Sequence, residues 1–263
     1  MIEHPAYEAV REVAPYASVL LQRNPGPMTL DGTNTWLLRA PGSAETVVVD
    51  PGQADDVHLD RLSAAAPHVA LVLVTHGHFD HSEAAAELRE RTGAAVRAID
   101  PAHCHGAPAL TDGEVIEAAG VRLQVLATPG HTADSVSFVV GDREAVLTGD
   151  TILGRGTTVV AHPDGILGAY LESLRTLREL GSALVLPGHG PDLTSIGAVA
   201  EYYLAHREER LEQVRTALAD LGPDATARQI VEVVYADVDR AVWWAAELSV
   251  EAQLDYLRAS PRG

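Results

Sequence analysis

The sequence predicts an α+β fold, a helix-flanked β-sandwich followed by a purely helical C-terminal region. Three observations carry that expectation. Short apolar runs bounded by Gly, Pro and Asp recur from Ala17 to Leu186, interleaved with helical patterns. Several of these runs end on a glycine beside a histidine or aspartate, so strand ends carry the polar chemistry. From Ser195 onward the strand-like runs stop and only helical periodicity remains. The expected division is therefore 1–194 for a strand-bearing α+β domain and 195–263 for a helical region.

Composition narrows the function classes. A chain of 263 residues can bury a sizeable core, and 46% hydrophobic with 21% charged residues is ordinary for a soluble globular protein. Net charge is −18, and all 19 basic residues are Arg, with no Lys. Such a surface disfavours generic binding to nucleic acid, which draws affinity from a basic patch. The single Cys104 excludes an intramolecular disulfide. Met1 to Pro15 shows no secretory leader pattern and no apolar run is long enough for a membrane span. The expected location is cytoplasmic, with no membrane partner.

Taken in order, Ala17 to Gln22 and Thr33 to Arg39 read as strands, joined by the Gly/Pro-rich loop Asn24 to Gly32. Thr46 to Val49 is a buried strand that ends at Asp50-Pro51-Gly52, and Val57 to Ala65 is a helix. The run Val69 to Val74 delivers the turn Thr75-His76-Gly77-His78-Phe79-Asp80-His81, and a helix is expected over Ser82 to Arg91. Gly93 to Ile99 returns as a strand. Pro101 to Gly106 is expected to be an exposed loop whose His103-Cys104-His105 does not bind metal. Glu114 to Ala118 and Val121 to Ala127 form a hairpin turned at Ala119-Gly120. Ser135 to Val140 and Ala145 to Leu147 are the next strand pair. Gly165 to Leu180 is an amphipathic helix, and Ala183 to Leu186 is a strand ending at Pro187-Gly188-His189. Ile196 to Leu221, Thr226 to Tyr235 and Ala241 to Leu257 are helices.

The turn after Val74 organises the rest. His76 and His78 are two apart, so an extended backbone points both imidazoles to one side, and Asp80 and His81 follow where the chain enters the helix. Three imidazoles and a carboxylate crowded together call for a bound cation, and an N/O ligand set suits zinc first, with manganese or iron as alternatives.

His76-x-His78-x-Asp80-His81, Thr128-Pro129-Gly130-His131-Thr132, Thr148-Gly149-Asp150 and Pro187-Gly188-His189-Gly190 together resemble the motifs of the metallo-β-lactamase-fold hydrolases. Asn24 to Thr35 and Tyr202 to Arg207 resemble the β-lactamase-like protein 2 branch. The resemblance implies a four-layer αβ/βα sandwich with a winged-helix-like C-terminal appendage. It implies two metals: His76, His78 and His131 on one, Asp80, His81 and His189 on the other, and Asp150 bridging them. Asp50 then stands behind the ligands, holding a histidine in its tautomer. Asp80, His78 and Asp150 are the implied catalytic residues, and Thr33, Asn34 and Arg155 the candidate substrate contacts. His162, in the loop after Asp150, is expected to be a surface histidine.

The implied activity is metal-dependent hydrolysis of an ester-type or phosphodiester bond by a metal-bridging hydroxide. Two divalent cations against two carboxylates leave a positive surplus that favours an anionic substrate or transition state. True lactamase chemistry is disfavoured, because Asp150 stands where the best-known β-lactam-hydrolysing group carries Cys. A single-strand RNA endonuclease and a thioester or lactone hydrolase of the glyoxalase II type stay open, as does a non-catalytic binding module. Ser82-Glu83-Ala84 departs from the Ser-Gly-Gly usual after the signature. The expected partners are a small-molecule or single-strand nucleic-acid substrate and a second copy joined through the C-terminal helices.

Overall fold

The structure, a computed structural model, describes residues 6–259. Six strands form the first sheet in chain order: β1 (Val10–Ala14), β2 (Ala17–Leu21), β3 (Asn34–Leu38), β4 (Thr46–Val49), β5 (Val69–Leu73) and β6 (Ala95–Arg97). The first four pair antiparallel, while β4, β5 and β6 run parallel. The parallel pairs need crossovers, which α1 (Asp56–Ala65) and the pair α2 (Phe79–Ser82) and α3 (Ala85–Thr92) supply. The second sheet holds β7 (Val115–Ala118), β8 (Val121–Ala127), β9 (Val136–Val140), β10 (Ala145–Gly149) and β11 (Leu184–Pro187), in the order β11-β10-β9-β8-β7. Here α4 (Leu167–Arg178) makes the crossover between the parallel strands β10 and β11.

Burial explains why so many strands read as unbroken apolar runs. Between the sheets, Trp36, Leu38, Val49 and Leu73 meet Leu123, Val125, Phe138 and Leu147. On the outer face of the first sheet, Leu37, Val48 and Val72 pack against Leu59 and Leu62 of α1 and Leu88 of α3. On the outer face of the second, Val139, Val146 and Val185 pack against Leu171, Leu174 and Leu177 of α4. Central strands are thus covered on both sides, the expected four-layer arrangement. Where no helix covers the sheet, alternation returns, and Arg122 and Gln124 of β8 are exposed between buried Val121, Leu123 and Val125. Each fully buried Leu or Phe contributes about 1.5–3 kcal/mol.

The helical region is α5 (Ile196–Leu221), α6 (Ala227–Val234) and α7 (Trp243–Ala259). Helix α5 serves two cores. Ile196, Ala200 and Tyr203 lie in the cluster with α4, whereas Val214 and Ala217 join Ile230, Val231, Trp243 and Leu254 further on. Thr226 and Gln229 form a reciprocal capping box at the start of α6. Among the described residues no helix is long and apolar enough to cross a membrane.

Strand β1, an exposed edge without alternation, carries no sequence pattern that announces it, and two local expectations are corrected. The helix expected over Ser82 to Arg91 is two helices, since the Ala84 amide is bound by the Gly52 carbonyl at 3.0 Å instead of continuing the helix. Pro101 to Gly106 is not a free loop: Pro101–His103 is a 3₁₀ turn, His105 bridges to Val96, and Cys104 is half-buried.

Candidate metal centre

Five strand ends converge on one rim. β4 delivers Asp50, β5 the turn from His76 to His81, β8 His131, β10 Asp150 and β11 His189. His76, His81, His131, His189, Asp80 and Asp150 are buried, and His78 is exposed. Close approach at the β11 end requires glycine: a Cβ on Gly188 would stand 2.6 Å from Asp150 Oδ1 and 2.7 Å from His81 Cε1.

Each buried imidazole is oriented from behind. His81 Nδ1 donates to Asp50 Oδ2 at 2.9 Å, His189 Nδ1 to the Gly32 carbonyl at 3.0 Å, and His131 Nδ1 to the Val159 carbonyl at 2.8 Å. These acceptors carry no proton to give, so Nδ1 bears the hydrogen in each ring and Nε2 faces the cluster. The Thr75 hydroxyl donates to Asp50 Oδ2 at 2.7 Å and lies 3.1 Å from His76 Nδ1, which assigns the same tautomer to His76.

The inward nitrogens crowd one another. His78 Nδ1 is 3.0 Å from His76 Nε2 and 3.2 Å from His131 Nε2, and the Nε2 atoms of His81 and His189 are 3.2 Å apart. With Nδ1 already committed, these contacts set lone pair against lone pair unless a cation or a proton stands between them. The donor atoms fall into groups within 4.8 Å of one another: His76, His78 and His131; Asp80, His81 and His189; and His76, His81 and Asp150. Asp150 lies between them, Oδ1 3.5 Å from His81 Nε2 and Oδ2 3.4 Å from His189 Nε2 and 3.8 Å from His131 Nε2. Its Oδ1 is buried without a hydrogen-bond partner, an arrangement that is costly unless something positive approaches it. The donor set and this orphaned oxygen fit divalent metal ions.

Protonation follows the same division. Burial pushes His189 down, but Asp150 and hydrogen bonds to Asp150 and Asp80 outweigh it and raise the ring to about 9. Burial opposes the charge on His81 too, yet Asp150 and Asp50 hold it well above the usual histidine range. Burial, reinforced by His81, drives His76 well below that range, and burial lowers His131. Burial opposes ionisation of Asp150, but His189 and His81 hold its carboxyl well below the usual range. Burial likewise opposes ionisation of Asp80, and its hydrogen bond with His189 brings the carboxyl below its ordinary value.

The other residues singled out in the sequence lie outside this cluster. Arg155 is half-exposed and forms a two-pronged ion pair with Asp31, one arm at 2.8 Å, which closes the loop Asn24 to Gly32 against the loop after Asp150. Thr33 and Asn34 are buried. The Thr33 hydroxyl accepts from Asn24 Nδ2 at 2.9 Å, and Asn34 Nδ2 donates to the Pro187 and Gly190 carbonyls. Asn34 therefore braces the strand end beside His189 and lines a cavity with Asp31, Arg155 and Gly190, while Thr33 is tied to the loop at Asn24. His162 is a surface residue paired with Asp255 at 3.1 Å.

His103 was not expected near the site. A Cβ on Gly77 would lie 2.4 Å from its Nε2, so its ring rests on the backbone between His76 and His78. It also groups with Asp100 and Asp134 on the exposed rim. Only the fold brings it there, and the sequence spacing carries no signal for that contact. Phe79, between two of the clustered residues, is 62% exposed and presents an apolar surface at the rim.

Comparison with known proteins gives concordant results. Residues 28–189 match the family described as the Metallo-beta-lactamase superfamily, and residues 226–260 match the Beta-lactamase associated winged helix domain. Beta-lactamase-like protein 2 homolog from Caenorhabditis elegans is 29% identical over 262 residues, covering 95% of this chain and 86% of that protein. Atrochrysone carboxyl ACP thioesterase from Aspergillus fumigatus is 31% identical over 253 residues, covering 88% of this chain and 77% of that protein. Among solved structures, a beta-lactamase domain protein from Burkholderia ambifaria superposes with a TM-score of 0.82 at 23% identity, covering 98% of this chain and 90% of that one.

Proposed function

From the premise that the chain belongs to the metallo-beta-lactamase superfamily and is one of its metal-dependent hydrolases, we propose that it binds two divalent metals and hydrolyses an acyl ester or thioester. The observation that carries the metal part is the ring of inward nitrogens, with Nδ1 committed to acceptors in four of five histidines and Asp150 Oδ1 left unpaired. His76, His78 and His131 would hold one ion, Asp80, His81 and His189 the other, and Asp150 reaches both. Zinc suits this N/O set, with manganese or iron as alternatives. When bound, the pair would supply water acidified towards neutral pH and positive charge to polarise the carbonyl.

The protein's own groups set the geometry. Asp80 turns Oδ2 to His189 at 3.2 Å, leaving Oδ1 to accept a hydrogen bond from the attacking water and orient it. The acyl carbon takes the hydroxyl, the C–S or C–O bond breaks, and the leaving group takes the proton. Asp150, held ionised, keeps its charge at the centre throughout. An acyl substrate accords with exposed Phe79 at the rim, with a net charge of −18 that repels polyanions, and with the thioesterase named among the relatives.

The winged-helix match at 226–260 favours a second reading, cleavage of single-strand nucleic acid. Metal content measured beside turnover of an acyl-thioester panel and bis-p-nitrophenyl phosphate separates the two. The proposal expects about two equivalents of metal and thioester or ester turnover that disappears in His78→Ala. Diesterase activity alone would favour the second reading, and a metal-free, inactive protein after zinc or manganese addition would refute both.

A further inference from the structure

Behind the metal cluster lies a buried histidine that no ligand role uses. His58, on α1, is completely inaccessible, yet both of its ring nitrogens are engaged. Nε2 is 3.0 Å from the Thr35 hydroxyl, and Nδ1 is 2.9 Å from Glu8 Oε2. Thr35 in turn lies 2.7 Å from the backbone carbonyl of Asp50. Glu8, the outer member, is only 14% exposed, and its Oε1 accepts from the Arg23 amide at 3.2 Å.

The protons in this chain can be counted. A carbonyl only accepts, so the single Thr35 hydroxyl proton points to Asp50. Thr35 must then accept from His58, which places a proton on Nε2. A further proton lies between Nδ1 and Glu8 Oε2, since two bare acceptors would repel at 2.9 Å. Every link is therefore occupied: His58 Nε2 donates to Thr35, Thr35 donates to the Asp50 carbonyl, and Nδ1 shares a proton with Glu8.

Asp50 is the residue on which this chain ends. Its φ is +54°, a left-handed conformation that is unfavourable for a residue with a Cβ and that persists only when its surroundings impose it. In that conformation its carboxylate receives the Thr75 amide at 2.8 Å, the Thr75 hydroxyl at 2.7 Å and His81 Nδ1 at 2.9 Å. The bond from Thr35 seizes the same residue by its carbonyl. We propose that Glu8, His58 and Thr35 are positioning residues that hold the Asp50 turn and, through it, the aim of His81 into the metal cluster. The inference rests on the metal-binding reading of the site, and it adds a third layer to the side chains that orient the ligands.

Zinc affinity, measured by chelator competition on the full chain, tests it. Glu8→Ala and Thr35→Val should each weaken one of two zinc equivalents about 10-fold, the range found when groups behind metal ligands are removed. Glu8→Gln and Thr35→Ser keep the hydrogen bonds and should stay within about 3-fold of wild type. Because the residues act as one chain, Glu8→Ala/Thr35→Val should lose little more than the worse single variant. Near-UV circular dichroism establishes that each variant is folded, and the peripheral Glu8→Ala supplies the test if Thr35→Val does not fold. Wild-type zinc affinity in folded Glu8→Ala, or equal loss in Glu8→Ala and Glu8→Gln, would overturn the inference alone. A wild-type protein that takes up no zinc would overturn it together with the metal reading.

Discussion

Asp50 Oδ2 stands 2.9 Å from His81 Nδ1, and both side chains are at most 1% exposed. That contact joins the end of β4 to the turn after β5 and decides which nitrogen of His81 faces the cluster. Asp50→Asn replaces one acceptor oxygen by an NH₂ group, so either His81 or Thr75 meets a donor in place of an acceptor. The expected result is a 10- to 100-fold loss, to order of magnitude, in affinity for one metal equivalent. Chelator competition at fixed pH measures it, with far-UV circular dichroism as the control for folding.

Gly188→Ala places a methyl group 2.6 Å from Asp150 Oδ1 and 2.7 Å from His81 Cε1. Neither neighbour can withdraw, because His81 is held by Asp50 and Asp150 is enclosed. Overpacking of this kind costs about 1–3 kcal/mol, to be read from urea unfolding of the metal-free protein. Turnover should fall further than stability does, since the displaced atoms belong to the candidate metal ligands.

Metal uptake should release protons. In the metal-free protein His189 titrates at about 9, and Asp150 and Asp50 hold His81 well above the ordinary 6.5, so the proton held between the facing Nε2 atoms of His81 and His189 at pH 7 must leave before a metal can take its place. Apparent zinc affinity should therefore climb as pH rises from about 6.5 towards 9. Titration calorimetry in buffers of different ionisation enthalpy should return a positive proton count at pH 7. Stability of the metal-free protein runs the other way. A raised pKa stabilises the fold fully below the unfolded value and loses that contribution as pH passes through about 9. His76, pushed well down, adds the opposite trend in acid, where the unfolded chain takes up a proton that the folded one refuses.

Arg207 ties the helical region to the metal-bearing loop. It is 6% exposed, donates to the Thr158 carbonyl and lies over the Tyr170 ring, 5.1 Å from its centroid. The next residue, Val159, is the one that orients His131. Arg207→Met keeps the apolar stem but leaves the Thr158 carbonyl without that donor, a loss of about 1–3 kcal/mol. Thermal unfolding measures this, and weaker binding of one metal should accompany it if the loop shifts.

The clustering of the candidate metal ligands is legible in the sequence because these residues come from strand ends with local signatures: a histidine-rich turn after Val74, and Gly-flanked His131, Asp150 and His189. Alternation and apolar runs placed the strands that carry them to within one or two residues. What the sequence withheld is nonlocal. The break at Ala84 follows from its bond to Gly52, and the commitment of Arg155 follows from Asp31, 124 residues away in the chain. Strand β1 exists by pairing with β2, since its own side chains are mostly exposed. Glu8 meets His58 across 50 residues, and His103 reaches the Gly77 backbone only once β6 is docked. No periodicity encodes such meetings.

Metal stoichiometry tests the central claim most directly. Metal-free protein titrated with zinc, with bound metal counted by elemental analysis after gel filtration, should saturate at two equivalents. His78→Ala and Asp150→Asn should each bind fewer, in step with loss of ester or thioester turnover. Saturation at zero, or two equivalents retained by both variants, would contradict the assignment of these residues as the metal centre.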